Sequence, residues 1–105
     1  MKKMMNTTIE FEFCDGSKAN MTLTFYALYQ LKAKNKSLYE RYNRIMTNPK
    51  ATDELDMITV VYTAYVCANM NEENLMTEEE FMMKCGSDRI AIRDAVQSLT
   101  QPKKQ

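Results

Sequence analysis

The sequence contains no histidine and only two glycines among its 105 residues. Without histidine it lacks the commonest general base and a frequent metal ligand. Two glycines are too few for a P-loop or a dinucleotide-binding fingerprint. The three cysteines, Cys14, Cys67 and Cys85, form no Cys-x-x-Cys pair, so the ligand spacing of zinc sites is missing as well. We therefore expect a protein that is not an enzyme and that has no catalytic residue, cofactor or metal site.

Signals for export and membrane insertion are also missing. Lys2 and Lys3 begin as a signal peptide would, but the polar run Asn6-Thr7-Thr8 follows within a few residues. No stretch approaches the roughly 20 apolar residues that cross a membrane. An odd number of widely spaced cysteines indicates reduced thiols rather than a disulfide framework. These features predict a cytoplasmic protein that is not secreted and has no membrane partner.

Charge is balanced overall but unevenly distributed. The chain has 14 Lys and Arg and 14 Asp and Glu, and this balance does not favour nucleic acid as a partner. Residues 32–50 hold six cations and one anion, whereas residues 53–80 hold eight anions and no cation. The two segments either form separate solvated helix faces or oppose each other, within one fold or across the copies of a homo-oligomer.

Two alternating segments near the N-terminus predict a β-hairpin. Residues 8–13 read Thr-Ile-Glu-Phe-Glu-Phe and residues 20–25 read Asn-Met-Thr-Leu-Thr-Phe, which is the period of half-buried strands. Asp15-Gly16 lies between them and supplies a turn. A lone hairpin is marginally stable in water. Its apolar face must therefore pack against the rest of the chain.

A helix is predicted directly after the hairpin. Thr24 is placed to cap it, and Leu28, Leu31 and Leu38 belong to a set of apolar residues that recur at spacings of three and four. Asn35-Lys36-Ser37 is a weak point at which this helix could break into two. Asn48-Pro49 ends the helix, because a residue before proline is disfavoured in the α region.

The second half of the chain carries further helix signals. Residues 57–68 contain no charge, and although residues 58–63 are rich in β-branched side chains, a cap at Thr52 or Asp53 favours a central, buried helix. Thr77 and Glu80 form a capping box for a short helix that ends at Gly86. Ser87 is expected to cap a last helix. Its predicted buried stripe consists of Ile92, Val96 and Leu99.

Together these signals predict a single domain, 1-105, with an α+β, mainly helical fold. We expect an antiparallel β-hairpin over 8-25, about four α-helices within 26-101 and a frayed tail at 102-105.

The last two predicted helices also have the outline of a helix-turn-helix motif. In that interpretation Arg89 and Arg93 would contact bases or phosphates of DNA. Asp88 and Asp94 stand beside them, whereas a DNA-reading helix is expected to be locally basic. A small DNA-binding regulator is one alternative function for this protein, although these acidic residues do not favour it.

Methionine and tyrosine are the residues best suited to binding. The chain has ten methionines and six tyrosines, which supply adaptable contacts and amphipathic rings. Tyr62 and Tyr65 lie three apart, on one helix face. Core packing is the competing interpretation of the same residues. The candidate protein-binding residues are Tyr62, Tyr65, Met76, Phe81, Met82 and Met83.

The order of elements resembles the short tail assembly chaperones of long-tailed phages and prophages that infect Gram-positive bacteria. The resemblance rests on the plan of hairpin, basic helix and acidic helical half. It rests also on the run Tyr-Thr-Ala-Tyr-Val-Cys-Ala at 62–68, the run Met-Thr-Glu-Glu-Glu-Phe at 76–81, and a lysine-rich end.

This resemblance implies a protein that binds the tape measure protein, keeps its long apolar helices from aggregating and recruits tail tube subunits. An apolar groove between the central helix and the last two helices would accept an amphipathic helix. The first alternative is a phage structural or adaptor protein of the tail or the head-tail connector.

Overall fold

The computed structural model describes residues 8–48, 50 and 52–100. Within these residues the chain forms a two-stranded antiparallel sheet and five α-helices, which confirms the predicted α+β, mainly helical fold. The predicted frayed tail, 102-105, lies outside the described residues. The elements are β1 (Ile9–Glu12), β2 (Lys18–Met21), α1 (Phe25–Lys34), α2 (Lys36–Met46), α3 (Glu54–Ala68), α4 (Glu78–Cys85) and α5 (Arg89–Thr100).

The hairpin is present, but its second strand lies earlier in the chain than the alternation predicted. The Phe13 N–H donates to the Ser17 carbonyl at 2.8 Å and closes a three-residue loop in which Gly16 has a φ of 88°. This loop sets the register, so that Ile9 faces Met21 across the two strands. Phe25, predicted as the last strand residue, instead begins α1 and is 92% exposed.

The first predicted helix is two helices, divided at its weak point. The backbone N–H of Asn35 donates to the Leu31 carbonyl at the end of α1, while its side chain accepts from the Leu38 N–H at the start of α2. One residue therefore caps both helices, at a φ of −147° that leaves the helical region. At the other end of α1, Thr24 forms the predicted cap by accepting from the Ala27 N–H.

Helix α3 is the centre of the molecule, as predicted, and residues 57–63 are helical rather than extended. Asp53 and Asp56 form a reciprocal capping box at its start. Val61 and Ala64 have no exposed surface, and β2 and the four other described helices all contact α3. The Thr22 N–H, just beyond β2, donates to the Ala64 carbonyl and fixes the hairpin onto this helix.

Helices α4 and α5 begin and end close to the predicted positions. Thr77 and Glu80 form the predicted capping box, and α4 ends at Gly86 with a φ of 62°. The prediction that Ser87 caps α5 is wrong, because the Asp88 carboxylate accepts from the Ala91 N–H at 3.1 Å. The buried stripe of α5 consists of Ile92, Ala95 and Leu99, whereas Val96 is only partly buried.

Candidate functional site

The six sequence-predicted binding residues do not form one surface. Phe81 has no exposed surface and Tyr65 is 7% exposed, so both belong to the core. Tyr62, Met76 and Met82 are partly buried. Only Met83 stands out from the surface, with 76% of its area exposed. The expectation that Phe81 is a surface contact is therefore wrong, because its ring fills the space between the hairpin and α3.

Four of the six residues instead build one internal cluster. The Phe81 ring packs 5.4 Å from the Tyr62 ring and 5.5 Å from the Tyr65 ring, measured between centroids. The Tyr62 hydroxyl donates to the Met76 carbonyl at 2.8 Å, and the Tyr65 hydroxyl accepts from the Met76 N–H at 3.0 Å. Burial raises the pKa of Tyr62, with a further contribution from the Glu78 carboxylate. These tyrosines hold the loop before α4 onto α3.

An apolar groove does lie between the central helix and the last two helices. We call it the α3–α5 groove, and its volume is about 180 Å³. Its lining consists of Glu54, Leu55, Met57, Ile58, Cys85, Gly86, Ser87, Asp88, Arg89, Ile92 and Arg93. None of the six sequence-predicted binding residues is among them. A groove therefore exists at the predicted position, and whether it or the six residues bind a partner stays a prediction.

The apolar walls of the groove come from three helices, α3, α4 and α5, whose ends meet there. Met57 and Ile58 come from the start of α3, and Ile92, 6% exposed, comes from the start of α5. Leu55 is the outer wall and is 63% exposed. It is an apolar residue in an otherwise acidic first turn, Glu54-Leu55-Asp56. That local exception was the signal in the sequence that could have pointed to this groove.

Charged groups lie along the rim of the groove. The Arg89 Nε atom donates to Glu54 Oε2 at 2.6 Å, which joins the start of α5 to the start of α3. Both side chains are about 60% exposed, so the pair contributes little to stability. Arg93 and Asp88 are also at the rim. An apolar floor with both signs of charge around it suits an amphipathic partner.

The cysteine that lines the groove is a packing residue rather than a reactive one. Burial raises the pKa of the Cys85 thiol to about 11, with a smaller contribution from Cys14 nearby. The thiol is therefore protonated at neutral pH, when only the thiolate is a good nucleophile or metal ligand. Cys67, on α3, has its pKa raised to about 12 by burial. Both thiols act as small apolar side chains.

The basic segment and the acidic segment meet at the ion pair of Arg41 and Glu78. Arg41 on α2 approaches Glu78 at the start of α4 to 2.8 Å, and the Thr59 hydroxyl donates to the same carboxylate at 2.8 Å.

In the described part of the chain, no group of three or more His, Cys, Asp or Glu side chains is arranged to hold a metal ion. No described helix has both the length and the apolar character needed to cross a bilayer.

The chain matches no known protein-family model, no curated protein and no solved structure.

Proposed function

We propose that this protein is a phage tail assembly chaperone that binds the tape measure protein in the host cytoplasm and recruits tail tube subunits. The observation that carries the proposal is the α3–α5 groove, an open apolar groove at the junction of three helices. The resemblance in the order of elements and in the runs at 62–68 and 76–81 supplies the identity of the partner.

The size of the groove fits a side chain rather than a metabolite. Pockets for small-molecule ligands usually span about 300–1,000 Å³, whereas this groove holds about 180 Å³. An apolar cavity of about 150 Å³ is enough for a benzene-sized group. One or two apolar anchors of a partner would therefore fill it. An amphipathic helix presents such anchors on one face, three or four residues apart.

The rim explains why an amphipathic helix is preferred to a wholly apolar one. Glu54 and Arg89 pair across the two helices on one side, and Arg93 carries a second cation at the rim. A helix that inserts its apolar side chains into the floor would place its polar flanks against these charges. The tape measure protein is long and helical in the family that this chain resembles, so it offers many such segments.

The helix-turn-helix alternative gains no support from the position of the two arginines. Arg89 is engaged by Glu54, and the Asp88 carboxylate caps the helix that would have to enter the major groove. That helix also carries Asp94. The phage structural or adaptor alternative predicts a different fate for the protein, because an adaptor stays in the finished particle and a chaperone does not.

Co-expression with the tape measure protein of the same genome tests the proposal. We expect the wild-type chain to raise the soluble fraction of that protein several-fold. Leu55→Glu should abolish the gain, because it places a charge on the apolar wall, while the matched Leu55→Met should preserve it. Leu55 is 63% exposed, so neither variant should unfold the chain, which circular dichroism would check.

Two outcomes would count against the proposal. No gain in solubility with the wild-type chain would remove the chaperone function. A loss of the gain with Met83→Glu but not with Leu55→Glu would move the binding surface from the groove to α4, where Met83 is 76% exposed. Mass spectrometry of purified virions separates the adaptor alternative, since only an adaptor would be found there.

A further inference from the structure

The two outer edges of the hairpin differ in whether their backbone N–H and C=O groups have hydrogen-bond partners. The outer edge of β2 is covered by α3, because the Thr22 N–H donates to Ala64 and the Asn20 carbonyl accepts from the side chain of Asn69. The outer edge of β1 faces a groove next to α5. A strand edge without a partner displays N–H and C=O groups that another strand can pair with.

The register identifies which backbone groups lie at the outer edge of β1. The Phe13 N–H points to β2, since it donates to Ser17. Backbone groups alternate in direction along a strand, so those of Glu10 and Glu12 point away from β2. The Cys14 N–H follows in the same series and donates outward, to the Lys84 carbonyl at 3.1 Å.

Among the described residues, that bond closes one end of the edge and leaves the outward backbone groups of Glu10 and Glu12 open. Within the described residues, the backbone N–H and C=O groups of Glu10 and Glu12 face away from β2 and make no backbone hydrogen bond outside the strand pairing. An unpaired strand edge of this kind can accept an added strand. Its backbone groups already point in the direction that strand pairing requires, and each hydrogen bond to the added strand replaces one to water.

A groove lies beside this edge of β1. The groove between β1 and α5 has a volume of about 620 Å³. On the α5 side its lining includes Ala91, Ala95 and Ser98, whose small side chains leave part of the groove unfilled, together with Asp94. Neighbouring strands lie about 4.8 Å apart. We expect an extended segment that pairs with β1 to pack its other side on α5.

The charge of this groove determines the chemistry of the segment. Four of the lining residues are acidic, Glu10, Glu12, Asp88 and Asp94, and none is basic. The contact of Glu10 with Lys18 is long, at 3.9 Å, and exposed. A second copy pairing through its own β1 would set these carboxylates against like charges, which is unfavourable. The complementary segment carries lysine or arginine.

We propose that the outer edge of β1 accepts an extended basic segment of a partner protein as a third strand. Glu10 and Glu12 point to one face of the hairpin, so lysine or arginine at alternate positions of the segment would lie beside them. The intervening side chains would face Ala91 and Ala95 and should be small or apolar. This inference does not depend on the α3–α5 groove or on the proposed chaperone function.

A pair of synthetic peptides tests the pairing directly. The probe is acetyl-Lys-Val-Lys-Val-Lys-amide, and its control has the same sequence with all five residue N–H groups methylated, which removes the donors that face β1 in either strand direction without changing the charge. We expect the probe to slow hydrogen exchange of the Glu10 and Glu12 amides at least tenfold, as measured by NMR. The N-methylated control should bind at least tenfold more weakly.

A charge reversal tests the choice of partner. We expect the double variant Glu10→Lys/Glu12→Lys, changed at two exposed positions, to bind acetyl-Glu-Val-Glu-Val-Glu-amide and no longer to bind the lysine probe. The proposal is overturned if the lysine probe does not bind at millimolar concentration. Equal binding of the N-methylated control, without protection of either amide, would also overturn it, because only charge attraction would then be acting. If the reversed variant does not fold, Glu12→Gln alone should weaken the lysine probe.

Discussion

A β-carbon added at Gly86 would lie 2.7 Å from the Sγ atom of Cys14. Cys14 is in the hairpin loop and its thiol donates to the Cys85 carbonyl at 3.0 Å, so the end of α4 and the hairpin meet at atomic contact. Gly86 also has a φ of 62°, a conformation that side-chain-bearing residues rarely adopt. Position 86 is therefore restricted to glycine for two separate reasons.

We predict that Gly86→Ala lowers the free energy of unfolding by about 2–5 kcal/mol, the sum of backbone strain and overpacking. Gly16→Ala is the matched control, because Gly16 has a φ of 88° but no atom within 4 Å of the added carbon. It should cost only the strain, about 1–2 kcal/mol. Urea denaturation measures both. Equal losses would show that the contact with Cys14 costs nothing, and Cys14→Ala should partly rescue Gly86→Ala.

Two buried threonines are expected to respond oppositely to the same substitution. Thr22 is 8% exposed and its hydroxyl has no hydrogen-bond partner in the described part of the chain. Thr22→Val should therefore raise the free energy of unfolding by about 1 kcal/mol. Thr63 has no exposed surface and its hydroxyl donates to the Thr59 carbonyl at 2.7 Å. Thr63→Val should lower stability by about 0.5–1 kcal/mol. Thermal unfolding of both variants measures these changes. Melting temperatures that shift in the same direction would contradict the prediction.

Glu78 and Glu79 are adjacent carboxylates in the first turn of α4, but only one of them joins two helices. Glu78 accepts from both Arg41 and Thr59, whereas Glu79 is exposed. We predict that Glu78→Ala costs about 1–2 kcal/mol of stability. Glu79→Ala should cost only the loss of a favourable charge at a helix start, about 0.3–1 kcal/mol. A double-mutant cycle with Arg41→Ala would assign the difference to the pair. A coupling energy near zero would disprove that assignment.

Alkaline pH should destabilise the fold through its buried thiols. The ordinary pKa of a cysteine thiol is 9.0, and burial raises that of Cys67 to about 12 and that of Cys85 to about 11. Above pH 9 the unfolded chain releases thiol protons that the folded chain keeps, so stability falls as pH rises. Each thiol contributes a slope approaching about 1.4 kcal/mol per pH unit.

Urea denaturation at a series of pH values between 7 and 10 measures this slope. Stability should show no contribution from the thiols below pH 8. Cys67→Ala should reduce the slope above pH 9 even if it also lowers stability at pH 7. An unchanged slope in that variant would contradict the assignment to Cys67.

The parts of the fold that could be predicted are those that depend on local signals. The capping box of Thr77 and Glu80, the cap at Asp53 and the break near Asn35 each involve residues within four positions of one another. The end of β2 was missed because Phe25 continues the alternation of Met21 and Leu23. The loop closed by Phe13 and Ser17 sets a register in which β2 ends at Met21. Thr24 then caps α1, which begins at Phe25.

The position of the α3–α5 groove could be predicted from the order of the helices, but the residues that line it could not. Phe81 and Leu55 differ in exposure, because Phe81 has no exposed surface whereas Leu55 is 63% exposed. Which of them is covered depends on how α3, α4 and the hairpin pack together, and neither the period nor the polarity of the local sequence contains that information. The open edge of β1 was missed for the same reason, since α3 covers only the other strand.

The central position of α3 has a consequence for the chain while it is being made. The hairpin, α1 and α2 are all synthesised before α3, the helix on which β2, α1 and α2 pack. At about 5–20 residues per second, the ribosome needs seconds to add the remaining segments. During that interval Met21 and Leu31, which have no exposed surface in the finished fold, have no α3 to pack against. Until α3 is made, the nascent N-terminal half therefore exposes apolar side chains that the finished fold buries.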